Sequence, residues 1–228
     1  MKTIIERRLS LQERSGTVLL RGSEIWTYGD KNKKLTRFTG LRGKKLTAAS
    51  PLPSISTKDA VLSWDGKNLL VTDRSNRKVS RVDPASGQES IVMEPDSLSF
   101  GDYDTALLAP DAVIGDTAWY NGLLYLAVQA GYSSAVYGID IGSKRVVSHR
   151  LAPGPKPSGL DFNPADGSMY IIDNRNRELR RFSSTGKEDI ADIPAEWADP
   201  RGLSFETERR LWSTDWSTSE VLQIRMEE

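Results

Sequence analysis

Aspartates recur in this sequence at a spacing that could set several carboxylates around one axis. Asp73, Asp173 and Asp215 each close a short apolar run, and Gly29 and Val128 stand at the two other equivalent places. Carboxylates so placed could move protons or hold a ligand. Their plain structural role is to accept backbone N–H bonds in an Asx turn, which needs no ligand at all. Beside them stand Arg74, Gln129, Tyr132, Asn174 and Trp216, with Asp59, Ser158 and Arg201 in a second set of segments. A longer segment, from Glu94 to Asp116, adds Tyr103 and the aspartates Asp96, Asp102, Asp104, Asp111 and Asp116. Their hard oxygens suit calcium, but the spacing matches no EF-hand. No metal and no cofactor is expected. The single histidine, His149, lies between Ser148 and Arg150 with no serine and aspartate arranged as a triad. No phosphate-binding or dinucleotide fingerprint occurs.

The elements that must position these residues repeat. Residues 159–182 lie over 60–82, a third copy runs from 202 to 224, and weaker copies run from 17 to 38 and from 117 to 139. The marks at 29, 73, 128, 173 and 215 are about 44 residues apart with one longer gap, the length of a four-stranded propeller blade. In each copy a first strand ends near an aromatic (Trp64, Trp119, Phe162, Phe205) and a hairpin follows, with Asp65-Gly66, Asn121-Gly122 and Asp166-Gly167 as type I′ candidates. The second strands are Ile25-Trp26-Thr27, Leu69-Leu70-Val71, Leu124-Tyr125-Leu126, Met169-Tyr170-Ile171 and Leu211-Trp212-Ser213, aromatic or branched enough for a pleated buried surface. Third strands end at Phe38, Val82, Ile139, Phe182 and Ile224. Turns with Gly43, Gly87, Gly142 and Gly186 lead to outer strands at 45–48, 89–93, 146–151 and 189–193.

The fifth copy has no outer strand after it, and the strand-like segment Thr3 to Leu9 precedes the first copy. Joining the two closes the ring and covers an edge that would otherwise stay open. The expectation is therefore an all-β, five-bladed β-propeller in one domain, 1–228, with repeats near 17–48, 60–93, 117–151, 159–193 and 202–225 plus 3–9. The proline- and serine-rich stretches 50–57 and 152–158 become loops between blades.

Composition narrows the function classes. Lysine plus arginine and aspartate plus glutamate both number 31, so no overall field favours nucleic acid or an anionic membrane. Cysteine is absent, which excludes disulfides and thiol chemistry. The first residues hold too short an apolar run for a secretory leader, and no stretch is long enough to span a bilayer, so a soluble, cytoplasmic chain without a membrane partner is expected. The recurrent cations Lys33, Lys34, Arg37, Arg77, Lys78, Arg81, Arg175, Arg177, Arg180 and Arg181 make RNA a candidate partner.

The segments Asp73-Arg-Ser-Asn76-Arg77 and Asp173-Asn-Arg-Asn176-Arg177 resemble the NHL repeat and its relatives among six-bladed propellers. The first copy has Gly29 for the aspartate, the fifth has Thr218 for the asparagine, and the third lacks the pattern. Gluconolactonase-like propellers would imply metal-ligating Asn or Asp before a Gly-Leu pair, where this chain has Ser158 and Arg201. The segment Gly131-Tyr132-Ser133-Ser134 looks like part of the plant-type glutaminyl cyclase family, yet Val128 and Gln129 stand where that family's acidic residue is implied. Such propellers include scaffolds, RNA binders and enzymes, so fold leaves function open.

The resulting expectation is a non-enzymatic recognition propeller that binds a protein segment or small ligand at the channel mouth near the second and third blades. The alternative is an enzyme, a lyase, lactonase or cyclase, with polar groups around that mouth. Arg74, Asp73, Tyr103, Gln129, Tyr132, Asp173, Asn174, Arg201, Asp215 and Trp216 form the expected site, with Tyr103, Tyr132 and Trp216 as its aromatic surface. Arg74 and Tyr132 are both read as exposed.

Overall fold

Short apolar runs cut by turn residues leave little choice but sheets, and each sheet here is an antiparallel meander. A computed structural model describes residues 1–41, 47, 48, 55, 57, 59–152, 154 and 156–227. The chain opens with β1 (Lys2–Ser10) and then forms β2 (Leu19–Arg21), β3 (Glu24–Tyr28), β4 (Leu35–Thr39) and β5 (Thr47–Ala48) as the first blade. The second blade is β6 (Ala60–Trp64), β7 (Leu69–Asp73), β8 (Val79–Val82) and β9 (Glu89–Met93). The third is β10 (Val113–Tyr120), β11 (Leu123–Ala130), β12 (Ser133–Asp140) and β13 (Arg145–Leu151). The fourth is β14 (Pro157–Phe162), β15 (Met169–Asp173), β16 (Glu178–Phe182) and β17 (Glu188–Asp192). The fifth, β18 (Pro200–Thr207), β19 (Arg210–Asp215) and β20 (Glu220–Glu227), takes β1 as its outer strand.

The expected five-bladed propeller is therefore the observed one, closed as expected: β1 pairs antiparallel with β20, Ile4 opposite Arg225 and Leu9 opposite Val221. Among the described residues five apolar cores lie between successive blades. The one that closes the ring joins Leu9, Trp212 and Val221 of the fifth blade to Val18, Ile25 and Phe38 of the first. No described helix is long and apolar enough to cross a membrane. The turn expected at Gly43, the start of the outer strand at Lys45 and most of the segment 50–57 lie outside the described residues.

Two local expectations are corrected. Of the three hairpin pairs, Asn121-Gly122 alone has both φ angles positive, at 48° and 80°, as a type I′ turn requires. Asp65 and Asp166 instead sit in longer loops, where their carboxylates accept the N–H groups of Lys67 and Asn68, and of Ser168. The segment from Glu94 to Asp116 is also no free loop. Its Phe100 and Leu107 are buried in the core between the second and third blades, and Asp116 already belongs to β10, at a bulge between Ile114 and Asp116.

Candidate functional site

The inner strands β2, β6, β10, β14 and β18 pack in ring order around the axis, each presenting an edge with no further strand to pair it. Backbone N–H groups on such an edge need partners. Side chains of neighbouring inner segments supply them. Thr17 Oγ1 accepts from Leu62 N at 3.1 Å, Ser204 Oγ from Leu20 N at 3.0 Å, and Asp161 Oδ2 from Phe205 N at 2.7 Å. Asp116 Oδ2 accepts twice, from Leu160 N at 2.8 Å and Leu203 N at 3.2 Å. Two glycines make this approach possible. A Cβ on Gly115 would lie 1.9 Å from Pro157 O, and one on Gly202, whose φ is +64°, would lie 2.9 Å from Thr17 Cα. The Gly-Leu pair at 202–203 is thus explained by close packing.

The channel has two ends. At one lie the loops between second and third strands and the connections between blades; at the other lie the hairpins that follow the inner strands. Most expected site residues belong to the first end, and most are engaged within the protein. Asp73 Oδ1 accepts from Ser75 N and Asn76 N, Asp173 Oδ1 from Arg175 N and Asn176 N, and Asp215 Oδ1 from Ser217 N and Thr218 N. Asn76 and Asn176 donate back to the second carboxylate oxygen at 3.2 and 2.7 Å, so the repeated Asp-x-x-Asn is a loop clasp. The arginine that follows fastens the next connection. Arg77 donates to Ala109 O and Ala112 O, and Arg177 to Pro194 O, Trp197 O and Ala198 O.

Arg74, Arg201, Asn174 and Trp216 do come together near the axis, though satisfied among themselves. Arg201 is bidentate to Asp199, at 3.2 and 3.1 Å, and lies 4.2 Å from the Trp216 ring centre. Asn174 donates to the same Asp199 at 2.6 Å. Arg74 is not the exposed residue expected: its side chain is 12% exposed, reaches Gly16 O at 3.4 Å and lies 4.0 Å from Asp59. Burial pushes its guanidinium below the ordinary value, against the pull of Asp59 and Asp116. Tyr132 is 90% exposed, and Gln129 donates to Gly131 O. Tyr103 lies elsewhere, its hydroxyl donating to Val147 O on the outermost strand β13, because Phe100 and Leu107 draw its segment outward.

The remaining sequence candidates have local roles. Ser158 donates to Pro200 O, Ser134 to Ala152 O, and Asp104 caps Ala106 N. His149 lies on β13 with its ring 4.9 Å from that of Tyr137. Among the described residues no three His, Cys, Asp or Glu side chains are placed to hold a metal ion.

The opposite end of the channel is hollow, and sequence reading passed over it. A cavity of about 390 Å³ is lined by Val18 to Leu20 and by the later residues of the other four inner strands. Trp64, Trp119, Tyr120, Phe162 and Phe205 give it aromatic walls, and several are braced by rings of an adjacent blade. Trp64 packs on Trp26 at 6.4 Å, Tyr120 stacks on Phe162 at 4.5 Å, and Phe205 meets Tyr170 edge-on at 5.0 Å. Arg21 lies over the Trp64 ring at 3.8 Å. Polar groups converge from three blades. Ser63 and Thr117, each 3% exposed, have hydroxyls with no hydrogen-bond partner among the described residues. Asp161 adds a carboxylate, pushed up to about 6 by burial against the pull of the Phe205 and Phe162 N–H groups. A larger hollow of about 550 Å³ lies along β1, lined by Thr3 to Arg8, Pro194 and Glu196, but it is an open groove on an outer strand.

No protein-family model matches the sequence, and no curated protein matches it. Solved structures do match in shape. Glutaminyl cyclase of Myxococcus xanthus is 12% identical with a TM-score of 0.68, over 98% of this chain and 96% of that one. The PQQ-bound aldose sugar dehydrogenase of Streptomyces coelicolor is 11% identical with a TM-score of 0.65, over 99% and 98%. Regucalcin of Agrobacterium tumefaciens, a calcium-binding protein, is 15% identical with a TM-score of 0.59, over 93% and 72%. Likeness to propellers of the NHL and six-bladed type is thus a likeness of fold, shared by enzymes and binding proteins alike, and the chain is a five-bladed β-propeller.

Proposed function

We propose that this protein recognises a small ligand in the cavity at the hairpin end of its channel. One observation carries the reading: aromatic side chains from several blades line a hollow whose wall also holds the Asp161 carboxylate and Ser63 and Thr117, residues with buried hydroxyls unpartnered among the described residues. A buried polar group left unpaired costs about 1–3 kcal/mol, so such groups mark places where something else bonds. A concave, mostly apolar hollow with a few convergent polar groups is the usual form of a small-molecule site. At the other end Arg201 and Asp199 pair and the repeated aspartates are satisfied by their own loops, although Thr72 Oγ1 and Arg77 Nε are buried there without partners among the described residues.

A second reading is supported by Asp161. A carboxyl raised to about 6 is suited to general acid–base work near neutrality, so catalysis on the bound molecule is the alternative. The test is NMR chemical-shift mapping with a chemically diverse set of small molecules. Binders should perturb residues 62–64, 117–120, 161–162 and 203–205. Perturbations confined to 129–134, Arg201 and Trp216 would overturn the placement and return the site to the loop end.

A further inference from the structure

We infer that the hairpin-end cavity takes a compact organic cation, its ammonium against Asp161 and its carbon skeleton against the aromatic walls. This rests on the placement proposed above and adds the ligand's charge. The argument begins with the four side chains that cap inner-strand N–H groups. Thr17 and Ser204 do so with hydroxyls, so the capping itself requires no net charge. Asp116 and Asp161 do the same with carboxylates. Asp116 has one cation nearby, Arg74, but burial outweighs its pull and holds the Asp116 carboxyl well above the ordinary range. Asp161 has none: among the described residues no lysine or arginine lies within ion-pair distance of it.

Asp161 is half-buried, and a carboxylate partly withdrawn from water gains from a counter-charge. Asp161 also faces open space, since it lines the cavity. A protonated amine there would complete the pair. The walls favour the same charge. Electron-rich aromatic faces attract cations, as Arg21 over Trp64 already illustrates. A volume of about 390 Å³ lies at the small end of the range for small-molecule sites.

Three amines, each with a neutral counterpart, test this: methylammonium with methanol, tetramethylammonium with tert-butanol, and benzylammonium with benzyl alcohol. Titrations at pH 8 are followed by tryptophan fluorescence, which Trp64 and Trp119 should report. At least one cation should bind ten-fold or more tightly than its counterpart. Asp161→Asn should erase that preference and keep the fold, since the amide oxygen can still accept the Phe205 N–H. If Asp161→Asn does not fold, Asp161→Ser copies the hydroxyl of Ser204 and should give the same loss. Equal binding of amine and counterpart overturns the cation inference while the cavity reading stands. No binding of any of the six at millimolar concentration overturns both, and a preference that survives Asp161→Asn shows that the carboxylate is not its source.

Discussion

Asp161 performs a structural task that a hydroxyl performs elsewhere in the ring, and its extra charge has a thermodynamic signature. Its carboxyl is pushed up to about 6 in the folded protein, mainly by burial, while the unfolded chain titrates near the ordinary value of about 4. Between those values the folded state keeps a proton that the unfolded state has released, so stability falls as pH rises through the window. Asp161→Asn removes that loss, while Asp116, the neighbouring carboxylate, remains in both proteins. Its stability relative to the parent should therefore improve by about 1–3 kcal/mol between pH 4 and pH 7 in urea unfolding. A difference that stays constant with pH would mean that the Asp161 carboxyl is not raised in the folded protein. Arg74 and Tyr132 separate in the same assay. Arg74→Ala should cost about 2–3 kcal/mol because the guanidinium is buried beside Asp59 and Asp116, whereas Tyr132→Ala should stay within about 0.5 kcal/mol. Both looked like loop residues in the sequence. Burial separates them, and burial depends on neighbours distant in the chain.

At the level of elements, the closing strand and the inner-strand glycines make separate predictions. Removing residues 1–9 strips the outer strand from the fifth blade, exposes β20 and takes Leu9 out of the core that joins the fifth blade to the first. The melting temperature should fall by more than about 10 °C, read by circular dichroism. An unchanged melt would sink the closure. Gly202→Ala would add a clash with Thr17 to an unfavourable φ and should cost about 2–4 kcal/mol, whereas Gly66→Ala, with φ +95° but open space around it, should cost about 1 kcal/mol. Strand positions and the repeat were legible because alternation, turn residues and repeat length are local signals, and the closure followed from the outer strand that the last copy lacks. The course of the segment from Glu94 to Asp116 was not. Its Phe100 and Leu107 are ordinary apolar residues until the core between two blades takes them in.

For the molecule as a whole, the balanced charge is matched by pairing on the surface. Lys78 pairs with Glu94, Arg81 with Asp65, Arg180 with Glu178 and Glu188, and Arg181 with Asp166 and Asp189. Cations already paired have fewer counter-ions to release from a nucleic acid. Single-stranded RNA should consequently show no gel shift even at low salt, and a shift that weakens steeply with added salt would revive RNA as a partner. The sequence by itself determined the number of blades and the order of their strands, since each is encoded within about 45 residues and repeated, and it determined the closure because the last copy lacks an outer strand that the first residues can supply. Which end of the channel is hollow was decided only by the tertiary structure. The cavity takes residues from all five inner segments, from Val18 to Phe205, and whether a polar group there is satisfied or free depends on what the other blades bring to the axis.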